Sequence, residues 1–415
     1  GMRGLGLGGL LQRGSQAPVL IRFVGPAQYR ADFQLLAERF HSQEPGIRVQ
    51  ILSISEVLGG REGLSGFSDI ARVLAESADV LLFQVDSSLP ESGLVMDLSP
   101  WLNGSGEIDR DDFFPQVEEV AQAHGGQWAL PAYSFVYPLY YDREVFARAG
   151  VSYPGESWTQ ADFLALAQSL TEAQEDGVVQ YGFVDYGGTA RVVWIPGLDS
   201  AQGADPTGWP TGSMTDAIAW YGAMAQRYRV MPVPGSGEAG IQQDWELIVS
   251  RRAALWSDAL ANFPYHEQLR PVGIAPIPTS AGPARMPAIV NGYMISAGSF
   301  WPGQSWQWVR FLHNQFVSFA RPSDGSPGAL PASRSVAEAT GYWDQFRPDV
   351  ERVLRYAAEH LAIMSTGSRK SILVNEAVKA ALDDSAPAVA VADARAAWEA
   401  YQAQISRATP VPVSM

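Results

Sequence analysis

The chain of 415 residues contains no cysteine, and of its 29 basic residues only Lys370 and Lys379 are lysines. Without thiols there is no disulfide, no thiolate metal site and no cysteine nucleophile. Charged residues make up 18% of the chain, against a usual share of about 25%. Together with 47% hydrophobic residues, that excludes a disordered chain or a charged coiled coil. The 44 acidic residues leave a formal charge of −15, and no basic stripe is present to displace phosphate counterions. Nucleic acid is therefore not expected as a partner. No apolar run approaches the roughly 18 residues of a membrane span. The opening 17 residues are too rich in glycine for the apolar centre of an export signal. Gly1 ahead of Met2 reads as an added residue, as though a native signal or lipid anchor had been trimmed.

Motifs for catalysis are equally scarce. The five histidines (His41, His124, His266, His313 and His360) are scattered, and none falls in a metal-binding spacing. There is no G-x-S-x-G elbow, P-loop or S-x-x-K motif. Gly4 to Gly9 satisfies G-x-G-x-x-G by count, yet it follows no strand and opens no periodic helix. No carboxylate pair stands out as a glycosidase site. The reading is of a protein without catalytic residues, cofactor or metal.

What is present is an alternation of strand and helix signals, which predicts an α/β domain with much parallel sheet. Val19 to Val24, Ile47 to Ile54 and Asp79 to Val85 read as strands. Between the first two, Phe33, Leu36, Ala37 and Phe40 have the spacing of one buried helix face. Thr159 and Asp162 predict a capping box ahead of Phe163, Leu166, Ala167 and Leu170. Val350 to Ala357, Val374 to Ala381 and Ala394 to Tyr401 repeat the helical pattern. Two stretches break it. Trp128 to Asp142 is strand-like but interrupted by Pro131 and Pro138, and Val272 to Ser296 sets two apolar runs around a Pro/Gly-rich bend. Both read as chain crossing between domains, because proline fixes the direction of an extended segment.

Several blocks resemble one family. Gly126 to Pro131 followed by Leu139 to Gly150 is similar to "GK-x-YGLP … LYYNKDLFKKAG", and Trp158 to Thr171 to "TWDE … A-x-x-LT". Ser250 to Trp256 resembles "F-x-x-GKAAM". Val272 to Pro278, Gly292 to Ser299 and Trp308 to Leu312 resemble "VGVAPLP … GYAISAGSKNPEAAWKFIKFL". Gly328 to Arg334 fits "G-x-LPARKS". The blocks fall in the family's order over residues 18–407, and the chain is identified as a member of the extracellular solute-binding proteins, family 1, of ABC importers. The resemblance implies a two-lobed periplasmic-binding fold with the ligand between lobes and three hinge crossings. Lobe one is expected at 18–131 plus 284–316, lobe two at 132–283 plus 317–407, with flexible ends at 1–17 and 408–415. It also implies an extracytoplasmic monomer that hands a carbohydrate, an oligosaccharide by preference, to a membrane permease. A polyamine, a phosphorylated polyol or a metal as cargo, a sensor ectodomain, and a glycoside hydrolase are the alternatives.

Candidate ligand contacts follow from two arguments. Ligands of open α/β sheets sit off the carboxyl ends of strands, which points to Gln28 after the first strand and Asp86 after the third. By resemblance, Asp86 matches a sugar-binding aspartate and Phe83 a neighbouring aromatic. Tyr133, Ser134, Phe135 and Tyr137 match cleft-lining positions of the first crossing, where Phe135 replaces a carboxylate used by maltodextrin binders. Thr189, Arg191 and Trp194 lie in the segment that supplies a stacking ring. Trp256 and Asp258 stand near the family's G-x-W turn, and Asn291 and Tyr293 begin the strand returning to lobe one.

Overall fold

The computed structural model describes residues 17–61, 66–86, 88–175, 177–199, 208–210, 213–234, 237–315, 319 and 327–408. The glycine-rich start and the two chain ends, apart from Ala17 and Ala408, lie outside the described residues. Two mixed sheets organise the rest. Strands β1 (Val19–Gly25), β2 (Ile47–Ser53) and β3 (Val80–Gln84) begin the first sheet. A hairpin of β4 (Gln122–Ala123) and β5 (Gly126–Gln127) stands apart. β6 (Leu130–Val136) joins the first sheet, and β7 (Leu139–Asp142), β8 (Glu172–Gln174), β9 (Gly177–Val184), β10 (Ala253–Ser257) and β11 (Val272–Ala275) form the second. β12 (Met286–Ile295), β13 (Leu330–Pro331) and β14 (Leu361–Ile363) return to the first. The strand orders are β13-β6-β12-β3-β1-β2, with β14 against the start of β12, and β11-β7-β10-β9-β8.

The expected strands and helices form where the patterns place them. Helix Arg30–Gln43 buries Phe33, Ala37 and Phe40, with the Phe33 ring 4.7 Å from Phe23 and Phe40 5.2 Å from Trp308. The Thr159/Asp162 capping box opens helix Gln160–Ser169. The sheets are less parallel than the alternation suggested. β1 pairs in parallel with β2 and β3, but β12 runs antiparallel to both β3 and β6. The reason is that β6 and β12 are crossing strands and carry chain to and from the other lobe.

Sheet membership also departs from the expected lobe boundaries. β6 belongs to the first sheet through Val136, and β13 and β14, within 317–407, pair with first-sheet strands. Helices Arg369–Leu382 and Pro387–Ala408 pack on each other and on helix Met214–Gln226, where Leu373, Val374, Ala377, Ala394 and Trp398 join the second lobe's core. The last crossing therefore lies just past Ile363. The crossings are bonded to one another: Tyr137 N donates to Pro287 O at 2.9 Å, and Met364 N to Ala288 O at 2.8 Å. Only Tyr137 and Pro138 separate β6 from β7.

Candidate ligand cleft

Strand register shows which sheet ends face each other. Ser257, at the carboxyl end of β10, pairs with Leu139, where the chain has just arrived from the first lobe. Val136, at the carboxyl end of β6, pairs with Ala288. The carboxyl ends of β1, β3 and β6 thus lie on the same side as those of β9 and β10, and a gap between them is the natural ligand site. A pocket of about 450 Å³ opens there. Ser134, Phe135, Val136 and Tyr137 line it from the first crossing, Ala259 to Ala261 from the turn after β10, and Pro327 to Leu330 from the loop entering β13.

On the first-lobe side the expected residues divide by exposure. Gln28 is exposed beyond β1, and Phe83, Phe135 and Tyr137 are half-buried, Phe83 stacked on Phe67 at 5.3 Å. Burial, with the Asp258 carboxylate beside it, raises the pKa of the Tyr137 phenol. Tyr133 and Asn291 are register partners on β6 and β12. The Tyr133 hydroxyl, the Ser134 Oγ and the Asn291 Nδ2 are all buried without a hydrogen-bond partner. Tyr293 is 2% exposed, and burial pushes its hydroxyl well up. It lines a separate pocket within the first lobe, together with Phe113, Leu312 and Phe319. Asp86 corrects the sequence reading. It is 1% exposed, and its carboxylate accepts from Ser88 N and Oγ, Ser365 Oγ and Gly367 N. Its oxygens face the third crossing instead of the cleft.

Three second-lobe expectations are corrected in the same way. Trp194 is buried among Phe163, Phe183 and Trp220, and its Nε1 donates to Pro278 O at 2.8 Å, so it packs the core instead of stacking on ligand. Trp256 is fully buried, stacked on Tyr140 at 5.7 Å with the Arg270 guanidinium over its ring. Asp258 is buried and accepts from Ala259 N, Asn262 Nδ2 and His266 Nε2, the last at 2.8 Å. It fixes the turn that lines the cleft. Thr189 is buried, its hydroxyl donating to Tyr186 O. Arg191 is half-buried with its guanidinium laid over Gly188, which has a positive φ of 68°. A side chain at Gly188 would collide with that guanidinium.

The model of the bacterial extracellular solute-binding proteins matches residues 26–314. The chain belongs to that family. Its fold is that of solved sugar-binding proteins: the MalE protein of Xanthomonas citri (17% identity, 93% of this chain and 98% of that one, TM-score 0.73). The maltose/maltodextrin-binding domain of Bdellovibrio bacteriovorus, solved with maltotriose, gives 16% identity, 92% and 99% coverage and a TM-score of 0.62. The mannitol-binding protein of Pseudomonas aeruginosa is 28% identical over 169 residues, 39% of this chain and 38% of that protein. The chain thus aligns with well under half the length of that relative.

In this solute-binding protein, residues that the sequence reading passed over stand beside the carboxyl ends of β9 and β10. Tyr186 follows β9 and is half-buried, its ring 5.6 Å from Trp245, which stacks on the exposed Tyr265 at 5.5 Å. Asp185, beside Tyr186, accepts from Ala190 N, Arg191 N, Tyr221 Oη and Ser257 Oγ. Asp244, next to Trp245, is 8% exposed. The strand-end argument that selected Gln28 and Asp86 would have selected Asp185 and Tyr186 had it been applied to β9. Asp244 and Trp245 lie in mid-helix with no motif around them. Among the described residues, no group of three or more His, Asp or Glu is placed to hold a metal ion. No described helix is long and apolar enough to cross a membrane.

Proposed function

We propose that this protein is the extracytoplasmic substrate-binding component of an ABC importer and captures a carbohydrate or related polyhydroxylated solute between its lobes. The observation that carries the reading is the make-up of the gap. The half-buried rings of Phe135 and Tyr137 line the pocket beside Ser134, whose hydroxyl is buried and unpaired, and Asn291 on the neighbouring strand has a buried, unpaired amide nitrogen. A sugar offers apolar C–H faces for the rings and hydroxyls for the unpaired atoms. Each aromatic contact is worth about 0.5–1.5 kcal/mol, while micromolar binding needs about 8 kcal/mol in total. Hydrogen bonds must therefore supply much of the affinity and most of the selectivity. The sugars bound by structural relatives, and the mannitol named for the sequence relative, support the same class of cargo.

The contacts from lobe one are Gln28, Phe83, Ser134, Phe135, Tyr137 and Asn291, and those from lobe two are Thr189, Arg191, Tyr186 and Trp245. A ligand that touches both walls only when they approach favours the closed state by that difference in contact. The closed monomer then presents its cargo to the permease. Tryptophan fluorescence and melting temperature, followed across sugars and sugar alcohols, test the reading. A saturable response without turnover supports it, and product formation by the protein alone defeats it.

A further inference from the structure

One second-lobe carboxyl group meets no hydrogen-bond donor among the described residues. Asp244, in helix Gly237–Val249, is 92% buried by its 8% exposure, and makes no hydrogen bond or ion pair with any described residue. Asp185 nearby is the reverse case, with four donors on its two oxygens. Burial and the charge of Asp185 push Asp244 to about 7. The Tyr186 ring is 5.6 Å from Trp245 and its carbonyl accepts from Ser257 Oγ, so Tyr186 stands between the strand ends and this helix. The Tyr221 hydroxyl is already donated to Asp185, and the Arg191 guanidinium covers Gly188. His266, 6.0 Å from the Trp245 ring, is engaged by Asp258. A largely buried carboxyl without protein donors is costly, and such perturbed groups cluster at functional sites.

We infer that Asp244 is a specificity-determining residue of the cleft, receiving a hydrogen-bond donor of the ligand, a hydroxyl or an ammonium group, beside the rings of Tyr186 and Trp245. The inference rests on the cleft being the binding site. A donated hydroxyl is held more strongly by the ionised carboxyl than by the neutral one, and an ammonium group requires the ionised form.

The test is calorimetric titration of the full chain with mannitol, maltotriose, glucosamine and spermidine. Wild type, Asp244→Ala and Asp244→Asn are compared, after their unliganded melting curves are matched. Asp244→Ala is expected to weaken the best probe at least about tenfold. Retention within about threefold by Asp244→Asn identifies a hydroxyl donor, and loss in both variants identifies an ammonium. Wild-type titrations near pH 7 in two buffers of different ionisation heat serve if a variant fails to fold, since a contact to Asp244 exchanges protons with solvent. Unchanged affinity in Asp244→Ala, or no proton exchange in wild type where the variant cannot be used, overturns the inference alone. If none of the probes binds wild type, the polyhydroxyl reading falls first and this inference with it.

Discussion

Asp86 and Ser365 are 279 residues apart in sequence, yet the serine hydroxyl donates to the buried carboxylate at 3.2 Å. Asp86 follows first-lobe strand β3 by two residues, and Ser365 leads into helix Arg369–Leu382 of the second core. Gly367 N adds a second bond at 3.3 Å, and Gln84 Nε2 donates to Thr366 Oγ1 alongside at 2.8 Å. These bonds tie the two lobes at the third crossing. Asp86→Ala leaves the serine and the amide buried without an acceptor, at a cost of about 1–3 kcal/mol. Urea denaturation should show that loss, and small-angle scattering of the unliganded variant should show a changed mean opening. An unaltered scattering profile with full stability would mean that the latch does nothing.

Asp142 makes the second prediction. It caps helix Arg143–Ala149 through Glu144 N and Val145 N, and it pairs with Arg251 and with the fully buried Arg270. Asp142→Ala removes the cap and strands a buried guanidinium, so a loss of about 3–5 kcal/mol is expected. Asp142→Asn, which keeps a capping oxygen, should lose less. Equal denaturation midpoints for the two variants would contradict this account.

Gly182, in β9, lies against the backbone of helix Gln160–Ser169. An added Cβ would sit 1.9 Å from the Ala167 carbonyl oxygen, and a backbone atom cannot swing aside. Gly182→Ala should therefore cost about 1–3 kcal/mol or more through forced separation of helix and sheet. Thermal melting of the purified variant decides it.

The unpaired cleft atoms invert the usual expectation for a polar deletion. Ser134→Ala removes a buried hydroxyl that has no partner, so unliganded stability should hold or rise. Affinity for the cognate solute should fall about fivefold or more, because a ligand hydrogen bond is lost. A loss of stability with unchanged affinity would make Ser134 a structural residue.

Asp244 gives a pH signature without any ligand. Its carboxyl titrates at about 7 in the folded chain, against an ordinary value of 3.8. Between those values the folded state holds more protons than the unfolded one. The stability contribution is therefore fully present below the ordinary value and is lost as pH rises through about 7. Asp244→Asn should flatten that slope and exceed wild type in stability at about pH 8. Parallel stability–pH curves for the two proteins would refute the assignment.

The fold was legible because its signals are local. The run Val19 to Val24, the spacing of Phe33 and Phe40, the Thr159 cap, and Pro138 between β6 and β7 each report on their own neighbourhood. The cleft was legible only in part. Phe83, Phe135 and Tyr137 are half-buried at or near strand ends, but Asp86 turns inward because its partners come from the far end of the chain. Trp194 and Trp256 look like stacking rings until the first is found donating its indole N–H to Pro278 O and the second packed against Tyr140 and the Arg270 guanidinium. Asp244 could not be found from sequence, since its importance comes from the donors it lacks.

The two-residue link between β6 and β7 has a mechanical consequence. Bonded through Tyr137 N to Pro287 O, with Met364 N on the adjacent Ala288 O, it resists sliding and swivelling and leaves rocking about one axis as the soft motion. Every distance across the gap then varies with a single angle. A substitution behind the pivot alters that angle and so retunes ligand affinity without touching a wall of the gap.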